Sequence, residues 1–183
     1  GATYQTVFRA LSRAQDNLDQ SRYLYLRTLT LLAFYTLPVY LALAWITEPL
    51  IVGVFGPHWR DTAAPLAILC LTAPFRCLEF SSGAVAAARN RLGRESILQF
   101  QAVILAAAGA AFAIRYGIVG VAWAAVAESA YLGIRLGKLA LDSLQYRWKH
   151  LFAAILPVAG LCAAEAGALL AAHIILEDWR PAM

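Results

Sequence analysis

Apolar residues in this chain come in long runs, with few signs of alternation. Residues 29–46, LTLLAFYTLPVYLALAWI, contain no charged side chain. Similar runs occupy residues 62–88, 97–114, 118–139 and 151–176. A bilayer core about 30 Å thick is crossed by about 20 apolar helical residues, and each run is of that order. Ala, Leu and Gly dominate, and the short alternating segments of a membrane β-barrel are missing. The pattern predicts an all-α membrane protein of about five transmembrane helices, with the remnant of another helix at residues 1–14.

Polar punctuation marks the joints. Residues 16–20 read as a turn, with Asp19 or Ser21 as the cap of the first long helix. Thr47-Glu48-Pro49 reads as a stop and restart, which leaves a short interfacial helix ending at Gly56-Pro57, with Trp59 at headgroup level. No tandem repeat or linker divides the chain. The expected organisation is one partial domain over residues 1–183, with a cytoplasmic loop and helix remnant at 1–28 and a membrane bundle at 29–176. The opening "GATYQTVFRALSR" reads as a helix already under way, so a piece of a longer protein is expected.

Composition supports the pattern. Hydrophobic residues make up 61% and charged residues 14%, and both values move away from those of soluble domains toward membrane proteins. The net charge of +4 does not lie on one face, so no nucleic-acid partner is expected. Lys and Arg fall between the apolar runs in counts of 4, 1, 3, 1, 4 and 1, with Arg135 and Lys138 at the end of the 118–139 run counted with the loop that follows it. By the positive-inside rule, the first, third and fifth of these segments are cytoplasmic and the C-terminal end lies outside. Cys70, Cys77 and Cys162 have no metal-ligand spacing and read as small packing residues. No phosphate-binding, zinc-hydrolase or serine-hydrolase motif appears, so no catalytic residue, metal or cofactor is expected, and the chain is not read as an enzyme.

Of the fifteen Lys and Arg residues, fourteen lie in loops, in the tail or, as Arg135 and Lys138 do, in the last turns of a run, which leaves Arg76 near the middle of one. Glu79, Glu128 and Glu165 are also inside runs. Four such ionised groups facing lipid would cost on the order of 10–14 kcal/mol. They are therefore expected to face protein or a wet cavity. Arg76 and Glu79 at i,i+3 could form a structural pair. Alternatively, the Arg76 guanidinium meets an anionic substrate, with Glu79 and the Ser82 hydroxyl lining the same cavity. Glu128 and Glu165 are candidate proton-coupling sites. His173 reads as an interfacial polar tip. Pro74, Arg76, Glu79 and Ser81-Ser82-Gly83 place a kink beside the charges, and Gly133 and Gly137 form a helix-packing G-x-x-x-G.

Several stretches carry a family resemblance. They are the "ALSR" segment, the Pro38-bearing helix, "EPLIV" leading to "FGPHW", "AIL" opening the second run, "AVAAARNR" leaving it and "YGIVGVAWA". Over roughly residues 4–145 the chain resembles the O-antigen and exopolysaccharide flippases (Wzx-type) of the multidrug/oligosaccharidyl-lipid/polysaccharide exporter superfamily. The resemblance implies a two-lobed exporter in the bacterial inner membrane, with this chain as most of its C-terminal lobe. It implies a lipid-linked oligosaccharide of the undecaprenyl diphosphate type as substrate, flipped across the bilayer by alternating access. Polysaccharide polymerases and glycosyltransferases are the implied pathway partners. Arg76 becomes the natural substrate contact. Asn90 stands where the family often has Gly. A cation-coupled multidrug exporter and a non-transporting subunit of a polysaccharide synthase remain as alternatives.

Overall fold

The computed structural model describes residues 17–178, and among them every regular element is helical. The long helices are α1 (Leu18–Phe55), α4 (Leu92–Ala113), α5 (Gly117–Ser143) and α6 (Trp148–Asp178). Two shorter ones, α2 (Ala63–Cys70) and α3 (Ala73–Ala88), lie between α1 and α4. This is an all-α membrane protein. The expected remnant at residues 1–14 falls outside the described residues.

Helix α1 is longer than the apolar run that predicts it. Its 38 residues span about 57 Å at 1.5 Å per residue, well beyond the hydrocarbon thickness. Neither Asp19 nor Ser21 is the cap. Asn17 is extended, and its side-chain oxygen accepts the N–H groups of Asp19 and Gln20. Thr47-Glu48-Pro49 does not stop the helix, and both Pro38 and Pro49 lie within it. Proline removes one backbone N–H and crowds the preceding turn, yet membrane helices tolerate it where other groups re-satisfy the backbone. The Thr47 hydroxyl reaches back to the Leu43 carbonyl at 2.7 Å and the Ala44 carbonyl at 3.0 Å in that turn. The stop comes at Gly56, whose φ of 93° suits glycine, and Pro57 then opens a 3-10 turn, Pro57–Thr62.

The second apolar run is not one rod either. Pro57–Cys70 and Ala73–Ala88 meet at a 45° bend. Pro74 sits in the first turn of α3, where its missing N–H costs least, and it cannot continue α2. Leu71 and Thr72 close the break with 3-10 bonds to the Ile68 and Leu69 carbonyls, and the Thr72 hydroxyl adds a second bond to Leu69 at 2.7 Å.

Residues 92–143 form one apolar helical stretch that reverses at Ile114–Tyr116, where Gly117 takes φ 71°. The Tyr131 hydroxyl of α5 donates to Gln101 of α4 at 2.9 Å, and Leu98 and Ala102 pack on Leu132 and Leu136. The two helices are therefore antiparallel, and each is long enough to cross a bilayer. By length and composition, three stretches among the described residues could cross a membrane, or four with the bent pair as one span, and the five expected are reached when the two arms of the 92–143 hairpin are taken separately.

Helix α5 is the centre of the bundle, packed against α2, α3 and α4. Its G-x-x-x-G faces α3. A Cβ at Gly133 would stand 2.7 Å from the Phe75 carbonyl, and one at Gly137 would stand 2.9 Å from the Leu78 side chain. The small residues bring the backbones this close. Cys77 and Leu78 of α3 join Tyr25 and Leu29 of α1 and Leu141 of α5 in the main core, which uses Cys77 as a small hydrophobe. Outside this core the apolar windows are left uncovered, only 11%, 17% and 6% buried in the three long stretches. An apolar surface of that extent requires lipid or further protein around it.

Two arginines assigned to loops by the charge count tie helix ends together. Arg22 donates to the carbonyls of Leu144 (2.9 Å) and Gln145 (3.0 Å) at the C-terminus of α5, pairs with Asp19 and lies over the Tyr146 ring. A cation at that end also meets the negative pole of the α5 dipole. Arg89 reaches from the end of α3 to Ser21 at 3.2 Å. Asn90 then takes φ 54°, and the Arg91 N–H bonds the Ala86 carbonyl at 2.8 Å. Asn tolerates this left-handed cap position, so the turn closes as it would with glycine.

Candidate functional site

The bend at Thr72 and the proline behind it set the direction of α3, and the G-x-x-x-G contact sets its distance from α5. These two features bring Arg76 and Glu79 of α3 to Glu128 of α5. The Arg76 Nη1 lies 2.9 Å from Glu79 Oε2, and its Nη2 lies 3.8 Å from Glu128 Oε2. The Ser129 hydroxyl donates to the same Glu128 oxygen at 3.4 Å. The Glu79 and Glu128 side chains are only 20% and 13% exposed, whereas that of Arg76 is 54% exposed. The carboxylates are thus tucked between the helices with the guanidinium over them.

One cation against two anions gives this group a net charge of −1 when all are ionised. The tighter of the two contacts, within α3, is the i,i+3 pair foreseen from the spacing. The looser one crosses between helices and leaves Nη2 without a close hydrogen bond to Glu128. A planar guanidinium held on one side and open on the other has donors left for a further acceptor.

Ser82 does not join this group. It is wholly buried, and its hydroxyl shares a 3.1 Å hydrogen bond with Tyr25 of α1. At about 100° per residue, Ser82 lies about 120° around α3 from Arg76, which turns it toward α1. Ser81 is also buried and bonds back to the Cys77 carbonyl at 2.8 Å. Glu165 is separate too. It is half-buried on α6, which packs on α1, and its Oε2 is buried with no hydrogen-bond partner among the described residues. The His173 side chain lies outside the described residues. No cluster of His, Cys, Asp and Glu able to hold a metal is found among the described residues.

Sequence reasoning missed the Glu128 partnership with Arg76 and the Tyr25–Ser82 bond. Both link residues more than fifty positions apart, and no local spacing signals either. It also missed Glu95, whose Oε2 is buried without a partner among the described residues, beside Gly83.

One comparison with known proteins bears on this arrangement. Residues 1–64 match the model of a family described as polysaccharide biosynthesis protein. The matched stretch takes in α1, the 3-10 turn after it and the first residues of α2, and it stops short of Arg76. No curated protein and no solved structure matches the chain. The match supports a membrane protein related to polysaccharide biosynthesis.

Proposed function

We propose that the chain is part of a carrier that flips a lipid-diphosphate-linked oligosaccharide across the bacterial inner membrane for surface polysaccharide synthesis. It would form most of the second lobe of a two-lobed exporter, with residues 1–28 cytoplasmic and the C-terminal end outside. It works by alternating access, not as an enzyme. The observation that carries this reading is the half-exposed Arg76 guanidinium, set on a bent membrane helix over two sheltered carboxylates. The N-terminal match to polysaccharide biosynthesis proteins supports the same pathway.

The charge balance suggests how such a site would work. With both carboxylates ionised, the net charge of −1 repels a diphosphate. Glu128, at 3.8 Å, supplies the weaker of the two attractions on Arg76, so it is the contact an incoming anion displaces first. The freed fork then meets phosphate oxygens, a geometry arginine suits. The diphosphate travels in a wet interior that offers it the Arg76 fork while its hydrocarbon tail stays in lipid, as one lobe rocks against the other.

The net negative charge also favours a second reading, a cation-coupled drug exporter of the same superfamily. Substitutions separate the two. Arg76→Ala should abolish surface polysaccharide at normal protein level, with partial rescue by Arg76→Lys. Glu128→Gln, which removes one of the two anions beside Arg76, should retain or strengthen binding of the lipid-linked sugar. Full polysaccharide display by Arg76→Ala would defeat the proposal. Loss of the protein itself would mark Arg76–Glu79 as a structural pair, as expected of a non-transporting synthase subunit. Loss of cation export in Glu128→Gln, with polysaccharide unaffected, would favour the drug exporter.

A further inference from the structure

A second cationic feature lies where the first turns of α4 meet the last turns of α5. There Arg94, Arg135, Lys138 and Asp142 line a cavity of about 280 Å³ with Gln101 and Leu98. Three cations and one acid give it a local charge of +2. None of the four is in an ion pair among the described residues. The Arg135 guanidinium lies over the Tyr131 ring at 5.9 Å, and the Tyr131 hydroxyl is bonded to Gln101. That stacking holds one cation in place at the cavity wall.

The surroundings are amphipathic along the membrane normal. Helix α4 runs away from this end and α5 runs toward it, so both lead from the cavity into the hydrocarbon. Ile97 and Ile104 of α4 and Ile134 of α5, one turn from Lys138, are all exposed along that path. We propose that this cleft binds the phosphate headgroup of an anionic phospholipid, whose acyl chains lie along the exposed isoleucines. A free phosphate would use the cations but would have no use for the apolar strip. Basic pockets between transmembrane helices suit anionic headgroups. On the proposed topology this end is cytoplasmic, so the lipid is one of the inner leaflet. The site is separate from Arg76 and does not depend on what is transported.

The protein, delipidated in detergent, would be titrated with phosphatidylglycerol, phosphatidylcholine and inorganic phosphate, and bound lipid counted by native mass spectrometry. Phosphatidylglycerol should bind and phosphatidylcholine should not. Millimolar inorganic phosphate should leave the bound lipid in place. Arg135→Gln with Lys138→Gln should weaken phosphatidylglycerol binding by roughly 30-fold, at about 1 kcal/mol per cation. Arg147→Gln with Lys149→Gln, outside the cavity, should change it by less than about threefold. The charge-conserving pair Arg135→Lys with Lys138→Arg should bind as the parent does, which separates lost charge from lost fold. Equal loss in both glutamine pairs would overturn the site, as would equal binding of phosphatidylcholine. Displacement of the lipid by phosphate would overturn its lipid character.

Discussion

Replacing Gly133 by Ala tests whether the α3–α5 contact holds the charged group together. The added Cβ would stand 2.7 Å from the Phe75 carbonyl and 3.1 Å from the Phe75 Cα, whereas ordinary van der Waals contact begins at 3.4 Å. Since 3.4 − 2.7 leaves 0.7 Å, the helices must separate by about that much, because both opposing atoms belong to backbone and cannot swing aside. Overpacking of this kind costs roughly 1–3 kcal/mol. Alanine's better helix propensity returns about 1 kcal/mol, which leaves a net loss of roughly 0–2 kcal/mol and places the variant roughly 1–3 kcal/mol below an alanine that meets no clash. Gly53→Ala is the control, since nothing lies within 4 Å of a Cβ there. It should be neutral or gain stability by up to about 1 kcal/mol. Thermal unfolding in detergent, with both variants beside the parent, reads the difference. The Arg76 to Glu128 distance, 3.8 Å at present, should lengthen in the Gly133 variant. Transport should therefore fall further than stability does. If Gly133→Ala melts at or above Gly53→Ala, the close approach of α3 and α5 is wrong.

Two further substitutions probe the ties between helix ends. Arg22→Ala removes the donors to Leu144 and Gln145 and should destabilise by roughly 1.5–3 kcal/mol, read by thermal unfolding, with partial recovery in Arg22→Lys. Asn90→Ala should cost roughly 1–2 kcal/mol because φ is 54°, while Asn90→Gly should match or exceed the parent. Equal melting of the Ala and Gly variants would refute the left-handed cap.

The helical membrane class is legible in the sequence because the bilayer imposes a length and an apolar requirement that every run must meet. Helix ends are less legible, since they depend on groups that can be supplied from elsewhere. Pro49 looks like a terminus and is tolerated, while Pro74, equally plain in the sequence, breaks its run. The two differ in their preceding residues, for α1 continues past Pro49 and the α2 backbone tightens into 3-10 bonds at Leu71 and Thr72. At the site, the Arg76–Glu79 pair follows from i,i+3 spacing. The direction of Ser82 does not, because it requires knowing where α1 packs. Glu128 and Glu165 look alike as lone acids in apolar runs, and only the tertiary fold sends one to Arg76 and the other to α6.

The placement of the bend gives Arg76 its exposure. A straight helix through residues 62–88 would carry Arg76 on the same line as α2, which packs on α1 and α5. The 45° turn redirects α3 just before that residue. Beyond it, the buried face of α3, with Cys77, Leu78, Ser81 and Ser82, is held by α1 and α5. The guanidinium is left on the uncovered side, anchored by one carboxylate of its own helix and one of its neighbour. Any motion that changes the bend or the α3–α5 distance must therefore change the weaker Glu128 contact first. That makes the 3.8 Å pair, rather than the 2.9 Å one, the element through which a change in helix packing would reach the cation.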